Sequence, residues 1–364
     1  MKKYAILLII SALLLTGCNT AENENSSVLD SDSQMQSNAE TMPVNSGKTE
    51  QHSADIFAMD TYMNLKVWSS DGGACVKEAN DRIEQLENLF SVTNPESDIS
   101  RVNSSAGTSV NVSDDTIALL QKAIQVGDES NGALDVSVYP VLRAWGFTTD
   151  SMQVPDDATI AELLPYVDYS KIQLDGNQVT IPENMMIDVG ALAKGYTSDE
   201  IIRIFRESGA TSAIISLGGN VQALGRKQDG SLWKVGVVNP FIPEENMCVL
   251  EIENQAVITS GNYERYFTDD EGNLYWHIID KNDGYPADNG LVSVTIIGES
   301  GLDCDALSTA LFVEGTEKAV SHWKKSNDFE IILVTDDNKI IISEGIQDVF
   351  TNKSTMPVEV VTHE

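Results

Sequence analysis

Apolar residues recur every three or four positions in several stretches of this 364-residue chain, which is the spacing of an amphipathic helix. The spacing is regular before Phe90, where Ala79, Ile83 and Leu86 would share one face. Each such helix would bury its apolar face against the rest of the fold. Helices are predicted over residues 76–90, from Ser113 onward and over residues 196–206. A further helix is predicted to include the stretch 301–310 and to end at about Val313, and another spans residues 315–325.

Other apolar stretches are shorter and are bounded by glycine, proline, asparagine or aspartate, which is typical of strands. Residues 91–103 are polar and turn-rich, and residues 132–140 are predicted to form a turn and an extended piece that stops at Pro140. Strands joined by short turns outnumber strand–helix–strand units, which favours an α+β fold with mixed, mainly antiparallel sheets over a doubly wound one. Predicted strands span residues 57–68, 172–174, 179–181, 213–217, 233–238, 248–252, 276–280, 291–297, 330–335 and 340–343.

Residues 1–17 have the pattern of a secretory signal peptide. Lys2 and Lys3 precede an apolar run that is shorter than the roughly 20 residues of a membrane span. The run ends in Leu15-Thr16-Gly17-Cys18, which resembles a bacterial lipobox. In this interpretation Cys18 is acylated and anchors the chain to the extracytoplasmic face of the cell membrane. An ordinary signal peptide cut elsewhere is the alternative, and it leaves Cys18 unexplained.

The segment after the signal peptide differs in composition from the rest of the chain. Residues 18–53 are rich in Asn, Ser, Glu, Gln and Thr and nearly free of large apolar residues, which predicts a disordered tether. The remainder is long enough for a sizeable core in one large domain or two closely packed subdomains. The folded domain is predicted to span residues 54–350, and residues 351–364 are interpreted as a C-terminal tail.

The formal net charge of the chain is −33. A surface this acidic repels phosphate backbones, which argues against nucleic acid as a partner. A small anionic ligand would need a local source of positive charge, such as a metal ion, a helix N-terminus or a lysine in the binding site. Besides Cys18, the chain holds Cys75, Cys248 and Cys304, whose spacing fits neither a zinc site nor a CxxC redox pair. They are interpreted as buried structural residues, and one disulfide is left open.

Two stretches, residues 187–196 and 301–310, crowd small residues beside charged ones. In the first, Gly190 and its neighbouring alanines would let a ligand approach the backbone. Asp188 and Lys194 would supply charges of opposite sign beside that ligand. The alternative is a plain strand-to-helix junction with Lys194 in solvent.

In the second stretch, Asp305 and Thr309 are four residues apart and would share one face of a helix. A carboxylate, a hydroxyl and backbone carbonyls are oxygen ligands of the kind that Mg²⁺ accepts. An acidic residue near a helix N-terminus is favourable without any metal, so a simple capped helix is the alternative.

His277 is the strongest candidate for a general base among the four histidines. It precedes the turn Gly284-Tyr285-Pro286, where a side chain can face a cleft. A structural histidine is the alternative. Gly218-Gly219-Asn220 ends a predicted strand and fits either a phosphate-binding turn or a plain tight turn. The chain contains neither Gly-x-Ser-x-Gly nor HExxH, so the common serine hydrolase and metalloprotease interpretations lack support.

Taken together, these segments resemble the ApbE family of FAD:protein FMN transferases, which are often bacterial lipoproteins. The resemblance covers nearly the whole predicted domain. It rests on the order of eight pieces, none of which is diagnostic alone. The pieces are residues 59–61, 90–91 with 97–103, 132–140, 187–196, 216–220, 259–262, 277–280 with 284–286, and 293–295 with 305–310.

The resemblance implies that FAD lies in a cleft between two α/β subdomains, with Mg²⁺ bridging its pyrophosphate. It implies that Asp305, Thr309 and the carbonyl of Ala191 hold the metal, and that His277 helps to activate the acceptor. The implied FAD-binding residues are Met59, Ala133, Leu134, Asp135, Asp188, Lys194 and Ile279.

The reaction implied by the resemblance is Mg²⁺-dependent transfer of FMN from FAD to a threonine hydroxyl of an extracytoplasmic redox protein, with release of AMP. The alternatives are a Mg²⁺-dependent FAD pyrophosphatase that forms FMN and AMP, and a flavin-binding lipoprotein without turnover. Two departures concern affinity for FAD more than reaction type. Many relatives have Met-Gly-Thr where this chain has Met59-Asp60-Thr61, and Thr93 stands where a tyrosine often follows the Phe-Ser pair.

Overall fold

The computed structural model describes residues 49–71, 73–149 and 151–363. Four short 3₁₀ turns occur there, at Val136–Val138, Leu164–Tyr166, Tyr169–Lys171 and Glu344–Ile346. The helices of the described residues are α1 Ala74–Phe90, α2 Asp98–Ser104, α3 Asp114–Glu129, α4 Tyr139–Ala144, α5 Asp157–Leu163, α6 Gly190–Glu207, α7 Gly301–Glu314 and α8 Thr316–Trp323. The strands are β1 Glu50–Ala58, β2 Thr61–Ser69, β3 Val110–Asn111, β4 Gln173–Asp175, β5 Gln178–Thr180, β6 Ser212–Leu217, β7 Asn220–Gly225, β8 Trp233–Asn239, β9 Ile242–Ile252, β10 Ala256–Gly261, β11 Tyr266–Thr268, β12 Leu274–Trp276, β13 Leu291–Gly298, β14 Phe329–Thr335, β15 Ile340–Ser343, β16 Phe350–Asn352 and β17 Val358–Val361.

A nine-stranded sheet in the order β1-β2-β6-β7-β10-β13-β14-β15-β17 organises the fold. Its neighbouring strands are antiparallel, except that β17 pairs with β15 in parallel. Helices and mainly antiparallel sheets are combined in one compact unit. The α+β prediction is therefore confirmed.

The two faces of this sheet are covered by different layers, because alternate side chains of a strand point to opposite sides. In β10, Ile258 packs in the same apolar core as Leu311 of α7. The preceding residue, Val257, packs in a second core with Trp233 of β8 and Leu250 of β9. Helices thus cover one face and the three-stranded sheet β16-β9-β8 covers the other.

A smaller part of the fold, formed by α2 to α5 and the sheet β3-β5-β4, joins the helical side. Leu119 of α3 and Val179 of β5 belong to the same continuous core as Val294 of β13. Ser113 was placed at a helix start by the sequence pattern. In the structure its Oγ accepts a hydrogen bond of 3.2 Å from the backbone N of Thr116, which caps α3.

The first strand region differs from its prediction. Residues 57–68 do not form one strand, because a two-residue turn at Met59 and Asp60 separates β1 from β2. Both turn residues have positive φ, 49° and 57°. Such values are required at both central positions of the tightest hairpin turns, which usually contain Asn-Gly or Asp-Gly. The sequence lacked that signal, so the turn was missed.

Of the turn and extended piece predicted over residues 132–140, the turn is present but the extended piece is wrong. Asp135 caps a 3₁₀ turn, and α4 begins at Tyr139. Pro140 lies in the first turn of α4, where its missing N–H is not needed for helix hydrogen bonds. The polar stretch from residue 91 onward likewise contains α2, capped by Ser97.

At both ends of the predicted domain the described structure extends further. β1 begins at Glu50, before residue 54, and β17 lies after residue 350 and pairs with β15. The signal peptide and Cys18 lie outside the described residues. Within residues 49–363, leaving out 72 and 150, no helix has the length and apolar character that crossing a membrane requires. Cys75, Cys248 and Cys304 are buried and free, which confirms the structural interpretation.

Candidate active site

The two small-residue stretches of the sequence meet where α6 packs against α7. A Cβ atom added at Gly195 would lie 2.3 Å from the carbonyl oxygen of Gly301 and 2.6 Å from the Cβ of Asp305. A Cβ added at Gly301 would lie 2.1 Å from the Oγ of Ser198. Since real Cβ atoms do not approach so closely, glycine at both positions permits the two helices to bring their charged residues together.

Asp305 is buried at this crossing, with 4% of its surface exposed. Its Oδ2 accepts a hydrogen bond of 2.7 Å from the backbone N of Gly195, and its Oδ1 accepts one of 3.0 Å from Nδ2 of Asn220. Burial raises the pKa of Asp305, although the positive charge of Lys194 opposes this shift. Asn220 was weighed in the sequence only as part of a turn, and its role in orienting Asp305 was missed.

Thr309 lies one helical turn after Asp305, beside two serine hydroxyls. Oγ of Ser260, at the end of β10, lies 2.8 Å from Oγ of Ser308 and 3.2 Å from Oγ1 of Thr309. Oγ of Ser308 donates to the carbonyl oxygen of Asp305 at 2.8 Å. The strand end therefore places a cluster of oxygen atoms next to the Asp305 turn of α7.

The donor set fits a hard cation such as Mg²⁺. Each oxygen of Asp305 accepts one of these hydrogen bonds and keeps a further lone pair. The N–H of Gly195 that binds Asp305 is the group that would ordinarily donate to the carbonyl of Ala191, so Asp305 competes for that donor. In the described part of the chain, no group of three or more His, Cys, Asp or Glu side chains is placed to bind a metal. A cation here would be coordinated by one carboxylate, by neutral protein oxygens and by oxygens of substrate or water.

Asp188 and Lys194 lie at the start of α6. The backbone N of Asp188 donates to the carbonyl of Val136 at 2.8 Å, and one carboxylate oxygen accepts from the N of Gly190 at 2.8 Å. Burial raises the pKa of Asp188, and the charges of Arg265 and Lys194 oppose the shift.

Lys194 is half-buried and makes no hydrogen bond or ion pair with another described residue. Its charge acts on the pKa values of Asp188, Glu264, His277 and Asp305, so its ammonium group lies within electrostatic range of all four. It is thus a cation of the site without a fixed partner among the described residues.

His277 follows β12 and is held by one carbonyl group. Its backbone N donates to the carbonyl oxygen of Arg265 at 3.1 Å, and its Nδ1 lies 3.3 Å from the same oxygen. That contact assigns the proton to Nδ1 and leaves the lone pair on Nε2. Burial, together with the positive charges of Arg265 and Lys194, lowers the pKa of His277 to about 4, so the imidazole is neutral at pH 7.

Glu264 and Arg265 are site residues that the sequence interpretation missed. Glu264 is an exposed residue. Desolvation by the surrounding protein, followed by the negative charge of Asp305, raises its pKa to about 7, while Lys194 opposes the shift. The family-like piece at residues 259–262 ends just before these residues, so the only available signal was their place in the chain.

Met59 approaches the site from the β1–β2 turn. Its backbone N donates to Oε1 of Glu87 at 2.8 Å, and its Sδ lies 3.7 Å from Oγ1 of Thr197. Thr197 lies on α6 three residues after Lys194. The turn that the sequence missed is therefore what brings Met59 to α6.

Asp135 has a different environment. Its carboxylate accepts hydrogen bonds from the backbone N of Ser137 at 2.9 Å and of Tyr169 at 3.2 Å, and it pairs with Lys281 at 3.4 Å. Ile279 is also buried, and its backbone forms an isolated antiparallel β-bridge with that of Pro286. Contact of these side chains, or of Ala133 and Leu134, with FAD stays a prediction.

A separate groove of about 1260 Å³ lies on another side of α7. Asp303, Cys304 and Leu307 line it, whereas Asp305 and Thr309 do not. Of the residues predicted for the site, it contains Ala133 alone. The groove is therefore distinct from the place where α6 and α7 bring charged residues together.

A family model described as "ApbE family" matches residues 59–333. The chain belongs to the ApbE family. It is 33% identical over 297 residues to the FAD:protein FMN transferase of Klebsiella pneumoniae (strain 342), covering 80% of this chain and 92% of that relative. The FAD:protein FMN transferase of Treponema pallidum (strain Nichols) is 29% identical over 323 residues, covering 83% and 89% of the two chains.

Solved ApbE structures have the same fold. The ApbE protein of Thermotoga maritima superposes with a TM-score of 0.78 at 30% identity, covering 82% of this chain and 99% of that one. The flavin transferase ApbE of Vibrio cholerae superposes with a TM-score of 0.75 at 26% identity, covering 83% and 100%. The family match begins at Met59 and includes every predicted site residue except Cys18.

Proposed function

We propose that this protein transfers FMN from FAD to a threonine hydroxyl of an extracytoplasmic redox protein and releases AMP, in a reaction that requires Mg²⁺. One observation carries the proposal. A lysine without a fixed partner and a set of oxygen ligands lie where α6, α7 and the end of β10 meet, and the charge of that lysine reaches a neutral histidine. Membership of a family whose curated relatives are named FAD:protein FMN transferases supports flavin transfer as the chemistry.

The proposed reaction replaces one phosphorus–oxygen bond by another. The threonine oxygen attacks the phosphorus of the FMN half of FAD, and the bond from that phosphorus to the bridging oxygen breaks. The electron pair of the broken bond leaves with AMP, and the hydroxyl proton passes to a base. A threonine hydroxyl is a weak nucleophile, so both a base and stabilisation of phosphate charge are needed.

His277 is the proposed base. Its Nδ1 faces the carbonyl of Arg265, so Nε2 is the nitrogen that is free to accept the proton. With a pKa near 4, the imidazole is in its basic form over the whole neutral range. The positive charges that lower its pKa also weaken it as a base, which suits a role that begins only as the hydroxyl is attacking phosphorus.

Lys194 is proposed to bind the FAD pyrophosphate, since its ammonium group has no described partner and a half-buried cation favours an anionic ligand. Asp305, Thr309 and the carbonyl of Ala191 would hold Mg²⁺, which when bound neutralises phosphate charge and polarises the phosphoryl group. The formal charge of −33 makes such local positive charge necessary for any dianionic substrate.

A lipid anchor at Cys18 on the extracytoplasmic face of the membrane is proposed with this function. The sequence Leu15-Thr16-Gly17-Cys18 supports it, and the acceptor would then be an extracytoplasmic protein. Mass spectrometry of the N-terminal peptide, purified from a bacterium that processes lipoproteins, tests the anchor. Two acyl chains on Cys18 are expected, and an unmodified Cys18 in the mature protein would contradict it.

A product assay tests the activity. The protein is incubated with FAD and Mg²⁺, with a peptide carrying Asp-Gly-Ser-Gly-Ala-Thr, with the same peptide ending in alanine, or with no peptide. Mass spectrometry is expected to show FMN on the threonine peptide alone, together with AMP. Free FMN and AMP in all three reactions would indicate a pyrophosphatase, and intact FAD in all three would indicate flavin binding without turnover.

A further inference from the structure

We propose that Arg265 binds the phosphoryl group during transfer, and that Asp60 holds the Arg265 guanidinium at the rim of the cleft until FAD enters. The inference rests on the proposed function and adds two residues to it. Neither lies in the set that the sequence predicted to contact FAD or metal. Four observations on these two residues carry it.

The backbone of Arg265 is fixed against the proposed base. Its carbonyl oxygen accepts the hydrogen bond from the N of His277 at 3.1 Å and lies 3.3 Å from Nδ1 of the same residue. A side chain that starts from this position begins beside the imidazole. The positive charge of Arg265 also opposes the raised pKa values of Asp188 and Glu264, so its guanidinium lies within electrostatic range of both carboxyl groups, as Lys194 does.

The guanidinium of Arg265 has its N–H donors available for a ligand. Its side chain is 49% exposed and forms no hydrogen bond with another described residue. Arg82 differs, since its guanidinium is 16% exposed and is held by Asp115 and Glu200. An arginine with five free donors is suited to bind a phosphate through two parallel hydrogen bonds.

Within the described residues, Asp60 is the carboxylate that forms an ion pair with Arg265, and this pair is weak. Nη2 of Arg265 lies 3.7 Å from Oδ2 of Asp60, which is too long for a hydrogen bond. The Asp60 side chain is 87% exposed. A long, exposed ion pair contributes little, so a phosphate that offers two charged oxygens can displace Asp60.

Asp60 approaches Arg265 from a different segment of the chain. It lies in the β1–β2 turn directly after Met59, whose Sδ is 3.7 Å from Thr197 of α6. Arg265 lies between β10 and β11. The turn and this loop thus approach each other through the two charges. In the proposal, a phosphate of FAD takes the place of Asp60 at the Arg265 guanidinium.

The exchange needs no covalent change in the protein. Hydrogen bonds from Arg265 to non-bridging oxygens replace its attraction to Asp60. As the bond from phosphorus to AMP lengthens, negative charge grows on these oxygens. A positioned guanidinium therefore stabilises the transition state more than it stabilises the ground state.

The first test compares Arg265→Ala and Arg265→Lys with Arg226→Ala. Arg226 is a matched control because its side chain is 52% exposed and its Nε pairs with Glu253 at 2.7 Å, after the end of β7 opposite Asn220. We expect kcat for peptide flavinylation to fall about 100-fold in Arg265→Ala and about 10-fold in Arg265→Lys. Arg226→Ala should keep the wild-type kcat, and thermal unfolding should show all three variants folded. A wild-type kcat in Arg265→Ala would overturn the proposal.

The second test measures FAD dissociation constants by flavin fluorescence for Asp60→Asn, Arg265→Ala and the double variant. Asp60→Asn should bind FAD about threefold more tightly, because it frees Arg265 and removes a negative charge. If Asp60 acts by holding Arg265, this gain disappears in the Arg265→Ala background. An equal gain in both backgrounds would overturn the role given to Asp60. If the wild-type protein does not flavinylate the peptide, the proposed function is contradicted. The FAD dissociation constants of the variants would still show whether Asp60 acts through Arg265.

Discussion

Asp305 on α7 and Asp135, before the turn Val136–Val138, are both buried, with 4% and 6% of their surface exposed. Their partners differ. Asp135 is paired with Lys281 and accepts two backbone hydrogen bonds, so its charge is neutralised within the fold. Among the described residues, Asp305 has only neutral hydrogen-bond donors, the N of Gly195 and the amide of Asn220, and no cation is paired with it there. A buried acid with an unbalanced charge is suited to bind a cation, whereas one with a paired lysine stabilises structure.

The largest expected effect follows from removing the charge of Asp305. In Asp305→Asn we expect flavin transfer to fall by about 10³-fold, because bound metal contributes several kcal/mol to stabilising phosphate charge. Discontinuous AMP release assays over a Mg²⁺ series would measure it. Thermal unfolding without Mg²⁺ should be unchanged or shifted upward, since burial disfavours the charge that the variant removes. Wild-type turnover in this variant would eliminate the proposed metal site.

His277 is a neutral site residue whose Nε2 is free to accept a proton, and its removal should give the next largest effect. In His277→Ala we expect kcat to fall about 10²-fold, the usual contribution of a general base. The wild-type rate should decrease as pH falls through about 4, because the lowered pKa keeps His277 basic above that pH. His322→Ala is the control, since its Nδ1 lies 3.1 Å from Glu314 and that pair lines the separate groove. Equal losses in both histidine variants would argue that His277 is structural.

Asp135 should show the reverse pattern. In Asp135→Asn we expect a loss of about 2 kcal/mol in the free energy of unfolding, because Lys281 loses its buried partner and an amide N–H comes to face other donors. Urea unfolding would measure the loss. At saturating FAD and at temperatures where the variant is folded, its kcat should match the wild type. A weaker affinity for FAD with unchanged stability would instead show that Asp135 contacts the flavin.

The smallest expected effect is a pH dependence of the stability that Asp305 contributes. The folded-state pKa of Asp305 is raised above its ordinary value near 3.8, so its contribution to stability is fully present below that value and is lost as pH rises. Without Mg²⁺, Asp305→Asn should therefore gain stability relative to the wild type as pH increases from about 4. Urea midpoints at several pH values would reveal it. A constant difference between the two proteins would contradict a raised pKa.

Local patterns were sufficient for elements whose residues act within a few positions of one another. The apolar positions of α1, the cap at Ser113 and the four-residue spacing of Asp305 and Thr309 all depend on helical geometry alone. The turn at Met59 and Asp60 was missed for the opposite reason. Its positive φ values are imposed by strand pairing between β1 and β2 rather than by residues that favour such a turn.

The sequence by itself determined the α+β class, the resemblance to the ApbE family and the two small-residue stretches that hold Lys194 and Asp305. Only the tertiary structure decided how the acids are used. Gly195 and Asn220, which bind the two oxygens of Asp305, are 110 and 85 residues away from it along the chain. Whether a buried carboxylate receives neutral donors or a lysine depends on contacts between distant segments. No local spacing encodes such contacts, so the chemistry of each acid became visible only when α6, α7 and the sheet were packed together.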